Sequence, residues 1–315
     1  MDKYEWLATE SAPRHYPMKI ISGDLWFSDG SSLYIPSKKI IRNGWGEIGS
    51  THIVGDALKP VPVKFDISWF SYAENKFYAG AFELPFEKLL SLFNEGVEDP
   101  NSGEKVTYDK IMVGIAPEGE VSVWLAAGAI TLEVATYKAK TKPVEWGTFF
   151  KNPNKSRKEY VQGVLERKLE PQQFDKLQQN GVPKGLWQTY KTQHQWTPEI
   201  TGAKPLSMWL KTFNGENEYF DFSKDNNKRE HRAVPKSIIL NWQHSSGQKY
   251  SAKIEFNEQE ILQAYQQLIK GKEENQLKLL MEIGEKYPPA VDIFLKDQKF
   301  ILKLENNNTQ VYKAK

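Results

Sequence analysis

The chain has 315 residues, a formal net charge of +2 and a mean hydropathy of −0.61. This length predicts about two domains, and ten Trp residues exclude a disordered chain. The absence of a long apolar run excludes a membrane-spanning helix. The absence of cysteine excludes disulfides, thiolate catalysis and cysteine-ligated zinc.

Charge is distributed unevenly along the chain. Residues 1–150 contain 15 Lys and Arg against 20 Asp and Glu, whereas residues 151–315 contain 27 against 20. This asymmetry indicates either ordinary divergence of solvated surfaces or two halves that face different partners. The basic stretch KSRK at 155–158 is followed by Glu159 and lies in no nucleic-acid-binding motif. We therefore expect no nucleic-acid partner.

Residues 1–148 read as mostly antiparallel β structure with one helix. Turn residues predict three hairpins, over Asp29-Gly30, over residues 73–75 and over residues 117–119. In the second hairpin, apolar and polar residues alternate along VKFDISW, which predicts one buried and one solvated face. Pro85 and Gly96 bound a predicted helix, because proline suits a first helical turn and glycine the position after the last.

Residues 149–186 form a separate predicted segment. The sequence NKSRKEYVQGVLERKLEPQQFDKLQQNGVP predicts two short helices divided at Pro171. The segment reads as a helical connector between two domains. The alternative is a helix pair that binds a partner.

Residues 187–315 resemble the first domain, which predicts a diverged tandem duplication. Val61-Pro62 and Val234-Pro235 are each followed by a tryptophan, a polar turn, a tyrosine and an amphipathic run, and both copies contain YKAK. The helix of this copy is predicted at 258–270, with residues 274–288 extending it. The expected fold class is therefore α+β and β-rich, with two related domains, 1–148 and 187–315. Each has a mostly antiparallel sheet and one packed helix.

The candidate site is the stretch NGWGEIGSTH, residues 43–52, which we call the glycine-rich loop. Glycine permits tight turns and close approach of another molecule, and tryptophan is a frequent anchor at interfaces. The predicted binding residues are Trp45, Glu47 and His52. The alternative is a turn or β-bulge whose tryptophan covers the edge of the core.

Catalytic and metal-binding patterns are absent from the sequence. The five histidines have no metal-ligand spacing, and the chain has no nucleophile elbow, P-loop or dinucleotide fingerprint. We expect no catalytic residue, no metal and no cofactor. A weaker alternative is an enzyme that uses Glu47 and His52 as acid and base.

Several motifs of the first copy occur in the order found in a bacterial family. YEWLATESAPRHYPMKI, GWGEIG, PVKFDISWFSYAENKFYAGAFELP and YDKIMVGIAPEGEVSVWL resemble the family known as domain of unknown function 2931. The resemblance covers about residues 4–140, and 187–315 keeps only part of the pattern.

The resemblance implies a protein of Gram-negative bacteria, where the family members occur. Members are often predicted lipoproteins, and some lie near genes of type VI secretion effectors. It suggests an immunity protein that binds a secreted toxin directly, with a cognate toxin as partner. The alternative is an envelope accessory protein that binds a lipid or a glycan. The sequence as written has no signal peptide and no anchoring cysteine. We therefore expect a cytoplasmic protein, or a periplasmic one if Met1 marks a trimmed lipoprotein.

Overall fold

The structure is a computed structural model that describes residues 2–37, 39–150, 154–224, 229–270, 276–286 and 289–314. The described residues form 23 strands and six α-helices, which confirms the predicted α+β, β-rich class. The chain divides into two compact units, Met1–Gln188 and Thr189–Lys315. The division lies within the last helix before the second set of strands.

The first unit contains thirteen of the described strands and the first four helices. They are β1 (Lys3–Glu5), β2 (Leu7–Ser11), β3 (Met18–Trp26), β4 (Ser32–Tyr34), β5 (Leu58–Pro60), β6 (Lys64–Ser71), β7 (Lys76–Glu83), α1 (Phe86–Glu95), β8 (Val97–Glu98), β9 (Lys105–Val106), β10 (Lys110–Ile115), β11 (Glu120–Ala127), β12 (Ile130–Lys138), β13 (Lys140–Thr141), α2 (Trp146–Phe149), α3 (Arg157–Lys168) and α4 (Pro171–Asn180).

These strands form two main sheets. One has the order β2-β10-β11-β12, in which β2 runs parallel to β10 and the other neighbours are antiparallel. The other is the antiparallel sheet β13-β7-β6-β3-β4. The three predicted hairpins are confirmed as β3–β4, β6–β7 and β10–β11, and the predicted helix is α1. The strands thus form two sheets where the sequence suggested one.

The core of the first unit lies between the two sheets and α1. Phe65, Ile67 and Trp69 of β6 are at most 1% exposed, as the alternation along that strand predicts. Leu89 and Phe93 of α1 are buried in the same cluster. Strands of both sheets contribute buried side chains to this core. Aromatic and β-branched residues suit such strands.

The helices α3 and α4 belong to the first unit. The α3 helix begins with a capping box, in which the Ser156 side chain accepts from the Glu159 amide and the Glu159 side chain accepts from the Ser156 amide. Its residues Val161, Val164 and Leu165 pack with Phe70 and with other side chains of the β6–β7 hairpin. The two helices predicted on either side of Pro171 are confirmed.

The second unit contains the remaining ten described strands and α6, while α5 contains the division between the units. They are α5 (Leu186–Lys191), β14 (Gln193–Thr201), β15 (Lys204–Thr212), β16 (Asn217–Asp221), β17 (His231–Ala233), β18 (Pro235–Gln243), β19 (Lys249–Glu255), α6 (Glu258–Ile269), β20 (Leu277–Ile283), β21 (Val291–Lys296), β22 (Ile301–Lys303) and β23 (Asn308–Lys313).

The second unit repeats the strand order of the first. Its sheet β17-β14-β20-β21-β22 has one parallel pair, β14 with β20, as β2 pairs with β10. Its other sheet, β16-β15-β18-β19-β23, matches β4-β3-β6-β7-β13 strand for strand. The prediction that residues 274–288 extend the helix is wrong, because that stretch contains β20. Alternate residues of β20, from Leu277 to Ile283, are buried, which is the period of a strand.

Side-chain pairs also correspond between the units. Trp69 faces Tyr78 on the neighbouring strand with stacked rings 5.4 Å apart, and Trp242 faces Tyr250 with rings 5.8 Å apart. Shared strand order and shared ring pairs support the proposal of a tandem duplication.

The repeated YKAK itself does not fall in equivalent positions. Lys140 pairs with Ala79, and Tyr312 pairs with Ser251, the residue that corresponds to Ala79. Tyr312 therefore matches Lys140 and not Tyr137. Residue 315, the last of the second YKAK, lies outside the described residues.

Candidate functional site

The glycine-rich loop packs against β2. Its backbone forms hydrogen bonds with buried side chains of that strand. Ser11 donates from Oγ to the Gly44 carbonyl at 2.7 Å and accepts from the Gly46 amide at 3.0 Å. The Gly49 amide donates to Thr9 Oγ1 at 3.0 Å. Thr9 and Ser11 are fully buried, so these bonds are shielded from water and hold the backbone of the loop in one position.

One amide side chain closes the base of this loop. Asn43 Oδ1 accepts from the Ala12 amide at 3.2 Å, and Asn43 Nδ2 donates to the Glu10 carbonyl at 3.2 Å and to the Glu47 carbonyl at 2.5 Å. Asn43 thereby satisfies backbone groups on β2 and within the loop. A backbone fixed in this way is a preorganised platform for the residues that follow it.

Close approach to β2 explains the glycine at position 49. A Cβ atom there would lie 2.3 Å from the Glu10 carbonyl oxygen. This distance is too short for any side chain. Gly44 and Gly46 have φ angles of +124° and +74°, a backbone region that favours glycine. These glycines are therefore required by the packing of the loop.

Trp45 lies inside the protein. Its side chain is 7% exposed, and its ring meets Trp124 edge to face with 4.9 Å between ring centroids. Gly114 makes room for both rings, because a Cβ there would lie 2.3 Å from Trp124 and 3.1 Å from Trp45. The position matches the alternative in which the tryptophan covers the edge of the core. The ring presents no surface to a partner.

The other two predicted residues have different neighbours. Glu47 is half-buried, and its carbonyl accepts the bond from Asn43. His52 is half-buried, and its Nδ1 lies 2.9 Å from the hydroxyl of Tyr34 on β4. The structure thus places Trp45 in the core, Glu47 at the base of the loop and His52 beside β4.

Glu10 is a functional candidate that the sequence analysis missed. Its side chain is 1% exposed, and Oε1 accepts from the Ser50 amide at 2.9 Å. Among the described residues, Oε2 has no hydrogen-bond partner. Burial raises the pKa of this carboxyl, against the smaller opposing effect of the bond from Ser50. Within the strand LATES, nothing distinguishes Glu10 from an ordinary polar residue.

Four apolar or aromatic side chains in and near the loop are exposed. Ile48, Ile53 and Leu58 are 37%, 93% and 54% exposed, and Tyr34 beside His52 is 38% exposed. We call these four residues the apolar surface. A contiguous patch of exposed apolar side chains is typical of interaction sites, whereas single exposed ones are ordinary. The sequence did not predict these exposed residues, because an exposed isoleucine has no local signal that distinguishes it from a buried one.

A buried cation follows the exposed Leu58 in the chain. Lys59 is 6% exposed, and its Nζ donates to the carbonyls of Trp6 at 3.1 Å and Ala57 at 3.4 Å. The same Nζ lies 5.9 Å from the centroid of the Trp6 ring. Lys59 is therefore held at the end of the segment that carries Ile53 and Leu58.

The described residues contain neither a metal-binding cluster nor a membrane-spanning helix. No cluster of three or more His, Cys, Asp or Glu could hold a metal ion there. No described helix combines the length and the apolar character needed to cross a bilayer.

These features define an α+β protein of two β-rich units, the first of which presents an apolar loop on a hydrogen-bonded base. The chain belongs to the family described as "Protein of unknown function (DUF2931)", whose model matches residues 1–185. The match includes the strands of the first unit and helices α2 to α4, and it stops before the second set of strands. No curated protein and no solved structure matches the chain.

Proposed function

We propose that this chain is a non-enzymatic bacterial binding protein, an immunity protein that neutralises a type VI secretion toxin by direct binding. The observation that carries the proposal is the 93% exposure of Ile53. This side chain follows a loop base whose backbone is fixed by buried hydrogen bonds. An isoleucine displayed to water close to an ordered segment is suited to insertion into a pocket of another protein.

Burial of this side chain supplies binding energy. Transfer of an isoleucine side chain from water to an apolar pocket contributes about 1.5–3 kcal/mol. Association also costs conformational freedom, and that cost is smaller where the backbone is already ordered. The bonds of Ser11 and Asn43 order the part of the loop that precedes Ile53 in the chain.

Inhibition would follow from occlusion. A toxin whose surface is covered by the apolar surface and its surroundings cannot engage its own target, and this requires no reaction. Tyr34, which lies beside His52, and Leu58 are further exposed side chains of this unit that would add to the contact, in keeping with the few dominant contacts found at protein interfaces.

The proposal is tested with the full chain as bait in a lysate of its source bacterium. We expect capture of a secreted toxin, and we expect co-expression of this chain to restore growth to cells that produce the toxin. Ile53→Asp should abolish the rescue. Phe300→Asp is the matched control, because Phe300 is also exposed, at 59%, but lies in the second unit. Rescue by Ile53→Asp at the wild-type level would contradict the proposal.

A second candidate function, glycan binding, is favoured by a groove in the second unit. The groove has a volume of about 440 Å³ and is lined by α6 and by residues 302–306. Its lining includes the amide side chains of Asn257, Gln259, Gln263 and Gln267. Amides both donate and accept hydrogen bonds, which suits the hydroxyl groups of a sugar. Binding of an envelope polysaccharide that is lost in Gln263→Ala would favour this function.

A further inference from the structure

A groove opens beside β7 in the first unit. It has a volume of about 550 Å³, and its described lining consists of residues 75–77, residues 141–145 and Arg157. Pro143 lies in this lining shortly after β13, and a proline cannot continue strand pairing because it lacks the amide. Pockets of about 300–1,000 Å³ commonly hold small molecules. No residue of the apolar surface is among these lining residues.

The lining of the groove is basic. Among the described residues it contains three cations and one carboxylate, namely Lys76, Lys142, Arg157 and Glu145. The Lys142 amide donates to the Phe77 carbonyl at 2.9 Å, which places Lys142 beside the strand that carries Lys76. Both lysines are exposed, and none of the three cations forms an ion pair with a carboxylate of the described residues. An excess of positive charge in a cleft attracts anions.

The guanidinium of Arg157 is held in place by the rest of the unit. Its Nε donates to Asn75 Oδ1 at 2.7 Å, and its Nη2 donates to the Asn75 carbonyl at 2.6 Å. The guanidinium also lies 5.6, 5.5 and 5.3 Å from the ring centroids of Phe70, Phe77 and Trp146. Aromatic faces attract a cation at such distances. The guanidinium is therefore fixed before a ligand binds.

Part of this guanidinium remains able to donate. Asn75 takes the hydrogen of Nε and one hydrogen of Nη2. The second hydrogen of Nη2 and both hydrogens of Nη1 have no hydrogen-bond partner among the residues that the structure describes. Arginine binds phosphate and carboxylate groups through paired N–H donors. A side chain that is already fixed loses little conformational freedom on binding, so Arg157 is suited to hold an anionic group in the groove.

We propose that this groove binds an organic phosphate monoester, whose phosphate contacts Arg157 and the two lysines. A phosphate monoester carries a charge of about −1.5 to −2 at neutral pH. Three cations against one carboxylate leave an excess of two positive charges, which a phosphate monoester neutralises more fully than a carboxylate does. Pro143 and Val144 supply apolar contacts for the organic group. The inference is independent of the proposed function, because the groove and the apolar surface share no residue.

The test is a titration of the isotope-labelled full chain with phenyl phosphate. We expect saturable binding of one molecule per chain, with shifts of the amide resonances of Lys76, Phe77 and Lys142. Benzoate, which has a carboxylate on the same ring, should bind about tenfold more weakly because it carries less charge. Inorganic phosphate should also bind more weakly than phenyl phosphate, since it lacks the apolar group.

The decisive variant combines Lys76→Gln with Lys142→Gln. It should weaken binding of phenyl phosphate about tenfold or more and leave the thermal stability unchanged, since both side chains are exposed. Lys105→Gln is the matched control, because Lys105 is an exposed lysine on β9 of the same unit and does not line the groove. The control should bind phenyl phosphate as the wild type does.

Three results would overturn the inference. They are the absence of saturable binding to the wild-type chain, an undiminished affinity in the double variant, and an equal loss of affinity in Lys105→Gln. Equal affinities for benzoate and phenyl phosphate would overturn the assignment of the ligand as a phosphate.

Discussion

Different interactions hold the segment before the repeated proline in the two units. In the first unit, glycine backbone packs on β2 and neutral hydrogen bonds from Ser11 and Asn43 hold it. Both segments contain a short paired strand, β5 on β1 and β17 on β14, and in the second unit ion pairs from Arg229 and Arg232 hold the segment. The first segment displays the exposed Ile53 and Leu58, and the proposal of a binding function concerns this segment.

The largest expected effect separates two buried cations, Arg232 of the second unit and Lys59 of the first. Arg232→Met should lower the free energy of unfolding by about 3 kcal/mol, because it leaves Glu218 without its partner in a largely buried place. Lys59→Met should change it by less than about 1 kcal/mol, since no buried carboxylate is left behind. Urea denaturation of both variants checks this contrast. Equal losses of unfolding free energy in the two variants would contradict this prediction.

A smaller effect is expected where the loop touches β2. Gly49→Ala should destabilise the chain by about 1–3 kcal/mol, because its Cβ would lie 2.3 Å from the Glu10 carbonyl. Gly147→Ala is the control, since no atom lies within 4 Å of a Cβ at that position. Thermal unfolding distinguishes them. A Gly49→Ala variant as stable as the control would show that the loop is not packed on β2.

The buried Glu10 predicts a pH dependence of stability in the first unit. Because its folded-state pKa is raised, Glu10 contributes stability that is fully present below the ordinary value of 4.5 and is lost as pH rises through the folded-state pKa. Glu10→Gln mimics the protonated acid and keeps the acceptor for Ser50. We therefore expect the wild type to lose stability relative to Glu10→Gln from pH 4 upward, measured by urea denaturation at several pH values. Parallel pH profiles would contradict this.

The smallest expected effect on stability belongs to the residue with the largest proposed role. Ile53→Asp should change the free energy of unfolding by no more than about 0.5 kcal/mol, because the side chain is 93% exposed. The same should hold for Phe300→Asp. Matching urea curves for both variants would establish that any loss of binding in Ile53→Asp is a property of the surface. A large destabilisation would show that Ile53 is packed.

Local sequence signals predicted much of the fold. The hairpins over residues 28–31, 73–75 and 117–119 and the helix after Pro85 are correct, because turn glycines, prolines and alternation act over a few residues. The strand β20 was missed because the leucine-rich run at residues 277–283 comes soon after a predicted helix and was taken as its extension. The two-residue period of that run predicts a strand. The parallel pairs and the division into two sheets depend on distant segments, which local periodicity does not report.

The sequence predicted the glycine-rich loop as a binding site, and that role stays a prediction. Three glycines around a tryptophan correctly indicated an unusual loop. Whether the tryptophan faces water depends on Trp124 and Gly114, which come from a different part of the chain. The burial of Glu10 and Lys59 likewise follows from tertiary contacts. Composition alone cannot distinguish a buried charge from a solvated one.

The most direct test of the central claim is the affinity of the captured toxin for three forms of the chain, measured by calorimetric titration. The account predicts that Ile53→Asp weakens binding by about 2 kcal/mol or more, the cost of losing a dominant interface contact. Phe300→Asp should bind as the wild type does. Unchanged affinity in Ile53→Asp, or a loss confined to Phe300→Asp, would contradict the assignment of binding to the first unit.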